Sequence, residues 1–177
     1  MVDAIKQGDI IEKITIIRNG PEVGDFNADQ AAFDALLREK TVAAIAEARV
    51  QREKAIAEIT AKYPDLIPAA SGLRYTILKA GGGEKPQAGA TVAVSYKGML
   101  LSGEVFDNSD FHSGPMELQV GTRQVIPGWD ETLLDMRQGE KRLVIIPPEL
   151  AYGDRGVGNV IPPNAFLVFE MELVQIK

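Results

Sequence analysis

The chain changes character at Pro64. From Asn27 to Tyr63 there is neither a glycine nor a proline, and Ala, Glu, Lys, Arg and Gln dominate. Those side chains lose little freedom in a helix. From Ser71 to Lys177 glycine and proline return every few residues and cut the chain into short β-rich runs. An unbroken helix over the first stretch would be roughly 50 Å long at about 1.5 Å per residue, longer than a small domain is wide. The chain therefore divides into unlike parts: residues 1–20, a helical segment within 21–70, and a β-rich domain over 71–177.

Asn27 suits the N-cap of the helix, with Asp29 near the positive end of its dipole, and Pro64 stops it. Glu58 and Lys62 are spaced to pair on its surface. Phe26, Phe33, Leu37, Ala44, Ala48, Ala55 and Ile59 recur at intervals of seven and four, a continuous but Ala-rich apolar stripe. Such a stripe serves either a connector that packs on its neighbours or a surface for dimerisation or client binding. The small area that Ala buries favours the connector.

Within residues 71–177 the runs Leu73–Leu78, Thr91–Tyr96, Arg142–Ile146 and Phe166–Leu173 read as strands. Trp129 to Met136, entered from Pro127-Gly128 and closed before Gly139, reads as one short helix. Strands around a single helix make an α+β domain.

Composition excludes much chemistry. With 19 basic against 25 acidic residues the net charge is −6, which argues against a nucleic-acid binder. There is no cysteine, so disulfides, thiolate metal sites and thiol nucleophiles are ruled out. The single histidine, His112, lies in a polar stretch and reads as solvated; it makes a histidine metal site or a serine–histidine pair improbable. Asp107-Asn108-Ser109-Asp110 lacks the glycine and the closing Glu of a calcium loop, and Gly81-Gly82-Gly83 reads as a hairpin loop, not a phosphate cradle. No metal and no cofactor is called for. No apolar run reaches the ~18 residues of a membrane span, and no export signal is visible near Met1, so a cytoplasmic protein without membrane contact is expected.

Aromatic residues are more informative. Of 11, eight lie in the last segment: Tyr75, Tyr96, Phe106, Phe111, Trp129, Tyr152, Phe166 and Phe169. Most aromatics in a small domain are core. Phe106, Trp129 and Tyr152, however, sit beside turn residues, where side chains line clefts. An apolar pocket with Asp107 and the Tyr152 hydroxyl as polar tips is a binding-site design.

At these residues a family resemblance becomes specific. Val94-Ser95-Tyr96-Lys97-Gly98, Gly103-Glu104-Val105-Phe106-Asp107-Asn108-Ser109, Gln124-Val125-Ile126-Pro127-Gly128-Trp129 and Gly139-Glu140-Lys141 come first. Pro147-Pro148-Glu149-Leu150-Ala151-Tyr152-Gly153, Ile161-Pro162-Pro163-Asn164 and Leu167-Val168-Phe169-Glu170-Met171-Glu172-Leu173 follow in order. Together they resemble the FKBP family of peptidyl-prolyl cis-trans isomerases. The resemblance implies an antiparallel half-barrel sheet wrapped on one short helix. It implies a pocket in which Asp107, Tyr152, Trp129, Phe106 and Phe169 are catalytic and Tyr96, Met116, Val125 and Ile126 bind substrate. In it Trp129 is the floor, Tyr96 braces Asp107, and Tyr152 and Asp107 meet ligand carbonyls. Met116 stands at a strand position that is often Phe in this family, and the loop Asp154–Val160 differs in detail, without the large chaperone insertion of some members.

The implied activity is that of a rotamase, an immunophilin assisting protein folding. Its partners would be proline-containing peptides, unfolded protein clients and macrolide immunosuppressants. The X–Pro bond rotates over a barrier of about 18–20 kcal/mol held up by amide resonance. An apolar pocket disfavours the charge-separated planar amide, and a hydrogen bond to the rotating carbonyl favours the twisted form. No proton moves, so little pH dependence is expected around neutrality. The rival from another class is a client- or partner-binding chaperone module with little turnover.

Residues 2–20 resemble the last helix turn and final strand of a cyclophilin, with Lys13–Arg18 as the strand. That implies the C-terminal part of a longer two-isomerase protein. The alternative is an unrelated short strand. A dimer through the long helix or this strand is the oligomer the sequence allows.

Overall fold

The computed structural model describes residues 30–177. The Asn27 cap, Phe26 of the stripe, the Lys13–Arg18 strand and the cyclophilin-like segment lie outside the described residues. Helix α1 runs Gln30–Lys62 and is followed by β1 (Ile67–Pro68), β2 (Arg74–Lys79), β3 (Thr91–Leu100) and β4 (Val105–Asn108). A 3₁₀ turn at Ser109–His112 leads to β5 (Met116–Gln119), α2 (Pro127–Asp135) and β6 (Lys141–Ile146). A second 3₁₀ turn, Pro148–Leu150, precedes β7 (Leu167–Ile176).

The strands form one antiparallel sheet in the order β1-β2-β6-β7-β3-β4, with β5 also paired to β3. It curls around α2 and is the expected α+β half-barrel. Alternation along each strand explains the packing. Val92, Val94 and Tyr96 of β3, Val144 and Ile146 of β6, and Leu167, Phe169, Met171 and Leu173 of β7 turn inward onto Trp129, Leu133 and Met136. The intervening Leu143, Ile145 and Val168 turn outward, where they join Phe166 and the fully buried Ile59 of α1 in a second cluster. Burial on both faces is why β6 reads as an unbroken apolar run. Beyond the reach of α1 the outer face carries Glu170 and Glu172, paired with Lys141 and Lys79 at 3.0 Å.

Gly128 sets the height of α2 over the sheet. A Cβ there would lie 2.5 Å from Cγ2 of Ile146, so only glycine lets the helix start settle this close to β6. Pro127 occupies the first turn, where its missing N–H is no loss.

The described chain divides into two compact units at Val50 and Gln51. In the first, Phe33, Leu36, Leu37, Val42, Ile45 and Val50 of α1 are each between 41% and 66% exposed. In the second, the last turns of α1 cover the sheet: Ala55, Ile56 and Ile59 meet the outer cluster. Arg52 pairs there with Glu149 and lies 5.8 Å from the Phe166 ring. The apolar stripe is thus divided, packed at Ala55 and Ile59 and open at Phe33, Leu37, Ala44 and Ala48. Lys62, which the spacing pairs with Glu58, donates to the Leu101 carbonyl instead, at 3.0 Å.

Candidate active site

Register brings the pocket together. Gly98 of β3 lies opposite Phe169 of β7 on one side and Asp107 of β4 on the other. With no Cβ at Gly98, the Phe106 and Phe169 rings close over the backbone; a Cβ would sit 2.7 Å from each. The two rings meet edge to face at 5.6 Å and 89°. Trp129, carried in from α2, meets Phe169 at 5.3 Å and Tyr96 at 4.8 Å, both edge to face. Four rings from four elements therefore brace one another, each contact contributing about 0.5–1.5 kcal/mol beyond its buried area.

They enclose an open cavity of about 740 Å³, within the range of small-ligand sites. Tyr96, Phe106, Asp107, Trp129, Tyr152 and Phe169 all line it. So do Met116 and, from the loop before α2, Val125 and Ile126. All nine residues singled out in the sequence converge on this one cavity. Trp129 and Phe169 are buried, whereas Met116 and Tyr152 are each 41% exposed at the rim. Among the described residues the buried indole Nε1–H of Trp129 has no acceptor, an arrangement that is rare in protein interiors.

Asp107 is the polar centre. Its Oδ2 accepts the Tyr96 hydroxyl at 2.8 Å, and its Oδ1 accepts the Asn108 N–H and Nε2–H of His112, each at 2.8 Å. Burial pushes the carboxyl up, but these hydrogen bonds, from His112 and Tyr96 first, outweigh it and hold Asp107 below the usual carboxylate range. It is a carboxylate with three donors and can only accept. Burial, together with the bond to Asp107 and its charge, pushes Tyr96 up to about 12. Burial and the Asp107 charge likewise raise Tyr152. Tyr96 is committed to Asp107; Tyr152 presents a neutral O–H to the cavity.

Three contributors escaped the sequence reading. His112, read as solvated, is bonded to Asp107 and lines the cavity, although its side chain is 62% exposed. The side chain is exposed as expected, and the bond to Asp107 is added at the 3₁₀ turn, where Asn108 Oδ1 caps the Asp110 N–H. Buried Asp130 accepts the Gly121 and Arg123 N–H groups at 2.8 and 2.9 Å, fixing the loop that presents Val125 and Ile126. A lone Asp in the first turn of a helix carries no signal of such a task beyond favour with the dipole. Gly98 is the third. A glycine inside an otherwise apolar strand does mark close approach, and that signal was available.

Comparison with known proteins agrees with this geometry. The profile of the FKBP-type peptidyl-prolyl cis-trans isomerase family matches residues 82–174. FK506-binding protein 1A of Neurospora crassa is 49% identical over 112 residues, covering 63% of this chain and 93% of that protein. The FKBP-type peptidyl-prolyl cis-trans isomerase FkpA of Escherichia coli is 40% identical over 149 residues, 82% of this chain. The chain spans 54% of the FkpA sequence. The crystal structure of FkpA superposes with a TM-score of 0.62 at 38% identity, over 84% of this chain and 66% of that one. A peptidyl-prolyl cis-trans isomerase from Pseudomonas syringae gives 0.64 at 35% identity, over 75% and 94%. Residues 2–20, where the cyclophilin resemblance was drawn, lie outside the matched family segment.

Proposed function

The chain belongs to the FKBP-type peptidyl-prolyl cis-trans isomerases, and from that premise we propose how the pocket turns over an X–Pro bond. Proline seats against Trp129, with Phe106, Phe169, Val125 and Ile126 as walls. There the amide loses the water that stabilises its planar, charge-separated form. The Tyr152 hydroxyl, unengaged by any other described residue, donates to a substrate carbonyl. The Asp107 carboxylate, its lone pairs mostly taken, supplies a fixed negative field and one remaining acceptor site. Lowering the barrier by about 5 kcal/mol would accelerate rotation several-thousand-fold. The observation that carries this reading is the four-ring apolar cavity with a protonated Tyr152 at its mouth.

The test is cis–trans exchange of a capped Leu-Pro peptide followed by NMR, with wild type, Trp129→Leu, Tyr152→Phe and Asp107→Asn at equal concentration. Acceleration by wild type that drops in folded variants supports the site. Undiminished exchange with folded Trp129→Leu refutes it.

A second reading has its own support. Six large apolar side chains of α1 between Phe33 and Val50 stand exposed, the surface expected of a segment that holds unfolded clients or a second copy of the chain. Equilibrium sedimentation separates the two: a concentration-dependent dimer lost in Phe33→Ser/Leu37→Ser supports self-association, and a monomer that retards aggregation of an unfolded client supports the holding role. Binding of macrolide immunosuppressants in the pocket, a cytoplasmic location and the division at residues 20/21 and 70/71 are likewise proposals from the sequence. Calorimetry with a macrolide, cell fractionation and limited proteolysis test them. The cyclophilin-like reading of residues 2–20 rests on that segment's sequence, and the upstream reading frame tests it.

A further inference from the structure

Among the described residues that line the cavity, the titratable ones are Tyr96, Asp107, His112 and Tyr152; no Lys, Arg or Glu joins them. Both tyrosines are held up and Asp107 is held down, so these three keep one charge state across neutrality. Imidazole is the side chain that changes charge between about pH 5 and 8. His112 is the only histidine in the chain. It stands on the solvent side of Asp107, donating to Oδ1 at 2.8 Å, while Tyr96 holds Oδ2 from the core side at the same distance. On its own 3₁₀ turn the other charge is Asp110, and the chain beyond it, Gly114-Pro115-Met116, is uncharged.

We propose that His112 is a positioning and specificity residue of this pocket: its imidazole holds the Asp107 carboxylate in place, and its protonation sets the charge that the rim shows to residues flanking the proline. Nε2–H is a donor in the imidazolium and in the matching neutral tautomer, so the bond to Asp107 survives deprotonation. What changes is the sum. With His112 protonated the pair is neutral; with it neutral the rim carries −1. The proton takes no part in bond rotation; the change it makes in the field that Asp107 presents to the amide is common to every peptide, whereas a charged neighbour of proline feels the change directly. For a charge roughly 7 Å away across a half-exposed rim the effect is about threefold, of opposite sign for acidic and basic residues. The proposal rests on the reading of the cavity as the substrate site.

The experiment uses the full chain and capped Ala-Xaa-Pro-Phe peptides with Xaa Leu, Glu or Lys, at constant ionic strength from pH 5.5 to 8.5. kcat/KM comes from NMR exchange, and the His112 ring protons report its titration in the same samples. The Glu/Lys ratio of kcat/KM is expected to fall about tenfold as pH rises through that titration. His112→Arg holds the ratio at its acid value, and His112→Gln, a donor without charge, holds it at its alkaline value. The ratio is read within each variant, so a general change in turnover cancels. Turnover of the Leu peptide is expected to fall in His112→Ala and to recover partly in His112→Gln. A flat ratio in wild type, or a pH-dependent one surviving in His112→Gln, overturns the charge role. Wild-type turnover in His112→Ala overturns the positioning role. Absence of turnover of every peptide by wild type overturns the substrate-site reading and this proposal with it, which a flat ratio does not.

Discussion

Gly98→Ala adds one methyl group at the point where three strands and two aromatic rings meet. The new Cβ would lie 2.7 Å from Cζ of Phe106 and 2.7 Å from Cε1 of Phe169. Carbon contacts are comfortable from about 3.5 Å, so the rings must retreat by roughly 0.8 Å. Register leaves little room to do so through the backbone, because Gly98 is paired on both sides, to Phe169 and to Asp107. The rings must swing instead, and the edge-to-face contact at 5.6 Å is lost. Overpacking of this kind costs about 1–3 kcal/mol, partly offset by about 0.5–1 kcal/mol from replacing glycine in a strand. The net expectation is a loss of about 1–2 kcal/mol, or about 5 °C in Tm, leaving the domain folded. The pocket should suffer more than the fold. Displaced walls no longer grip the proline ring, and kcat/KM for a Leu-Pro peptide is expected to fall at least about tenfold, about 1.4 kcal/mol of transition-state stabilisation. Calorimetry and NMR exchange on the same samples read both quantities. A folded Gly98→Ala protein with wild-type kcat/KM would show that the Phe106–Phe169 contact does not shape the site.

Ile59→Ala empties a fully buried position between α1 and the outer face of β6 and β7; urea unfolding should show a loss of about 2–4 kcal/mol with kcat/KM unchanged, and a loss below about 0.5 kcal/mol would mean the helix end is not anchored there. Arg142, 5% exposed, pairs with Glu140, 4% exposed, and with Asp135 at 2.9 Å while stacking over Tyr75. Arg142→Ala should cost about 3–5 kcal/mol by stranding a buried carboxylate, and Arg142→Met combined with Glu140→Gln should regain much of that; a double variant as weak as the single one contradicts the account. Tyr96 ionises near pH 12 in the fold against about 10 when unfolded. Its contribution is therefore complete below about pH 10 and is lost as pH rises toward 12. Tyr96→Phe should remove that alkaline slope, and an identical slope in both proteins would place the titration elsewhere.

Much of the fold was legible because it follows local period and punctuation. A stretch free of glycine and proline and dominated by strong helix formers was legible as helix, and α1 ends at Lys62, two residues before Pro64. Alternation at Phe169, Met171 and Leu173 against Glu170 and Glu172 marked β7. The short strands β1, β4 and β5 were not legible, since two to four residues carry no period. The pocket residues were legible as motifs, in which Phe106-Asp107, Gly128-Trp129 and Tyr152-Gly153 each join an aromatic to a polar or turn residue.

What the sequence determined by itself was the family, the α+β class and the cast of pocket residues, because these are written in residue type and short-range spacing. Tertiary structure alone decided three things. It divided one apolar stripe into a packed end at Ile59 and an open stretch from Phe33 to Val50. It gave Gly98 its place between two rings. It set His112, whose side chain stays largely exposed, onto the Asp107 carboxylate of the pocket. Each depends on what strand register and turn geometry bring alongside a residue from elsewhere in the chain, and no local pattern encodes a neighbour that arrives only when the sheet closes.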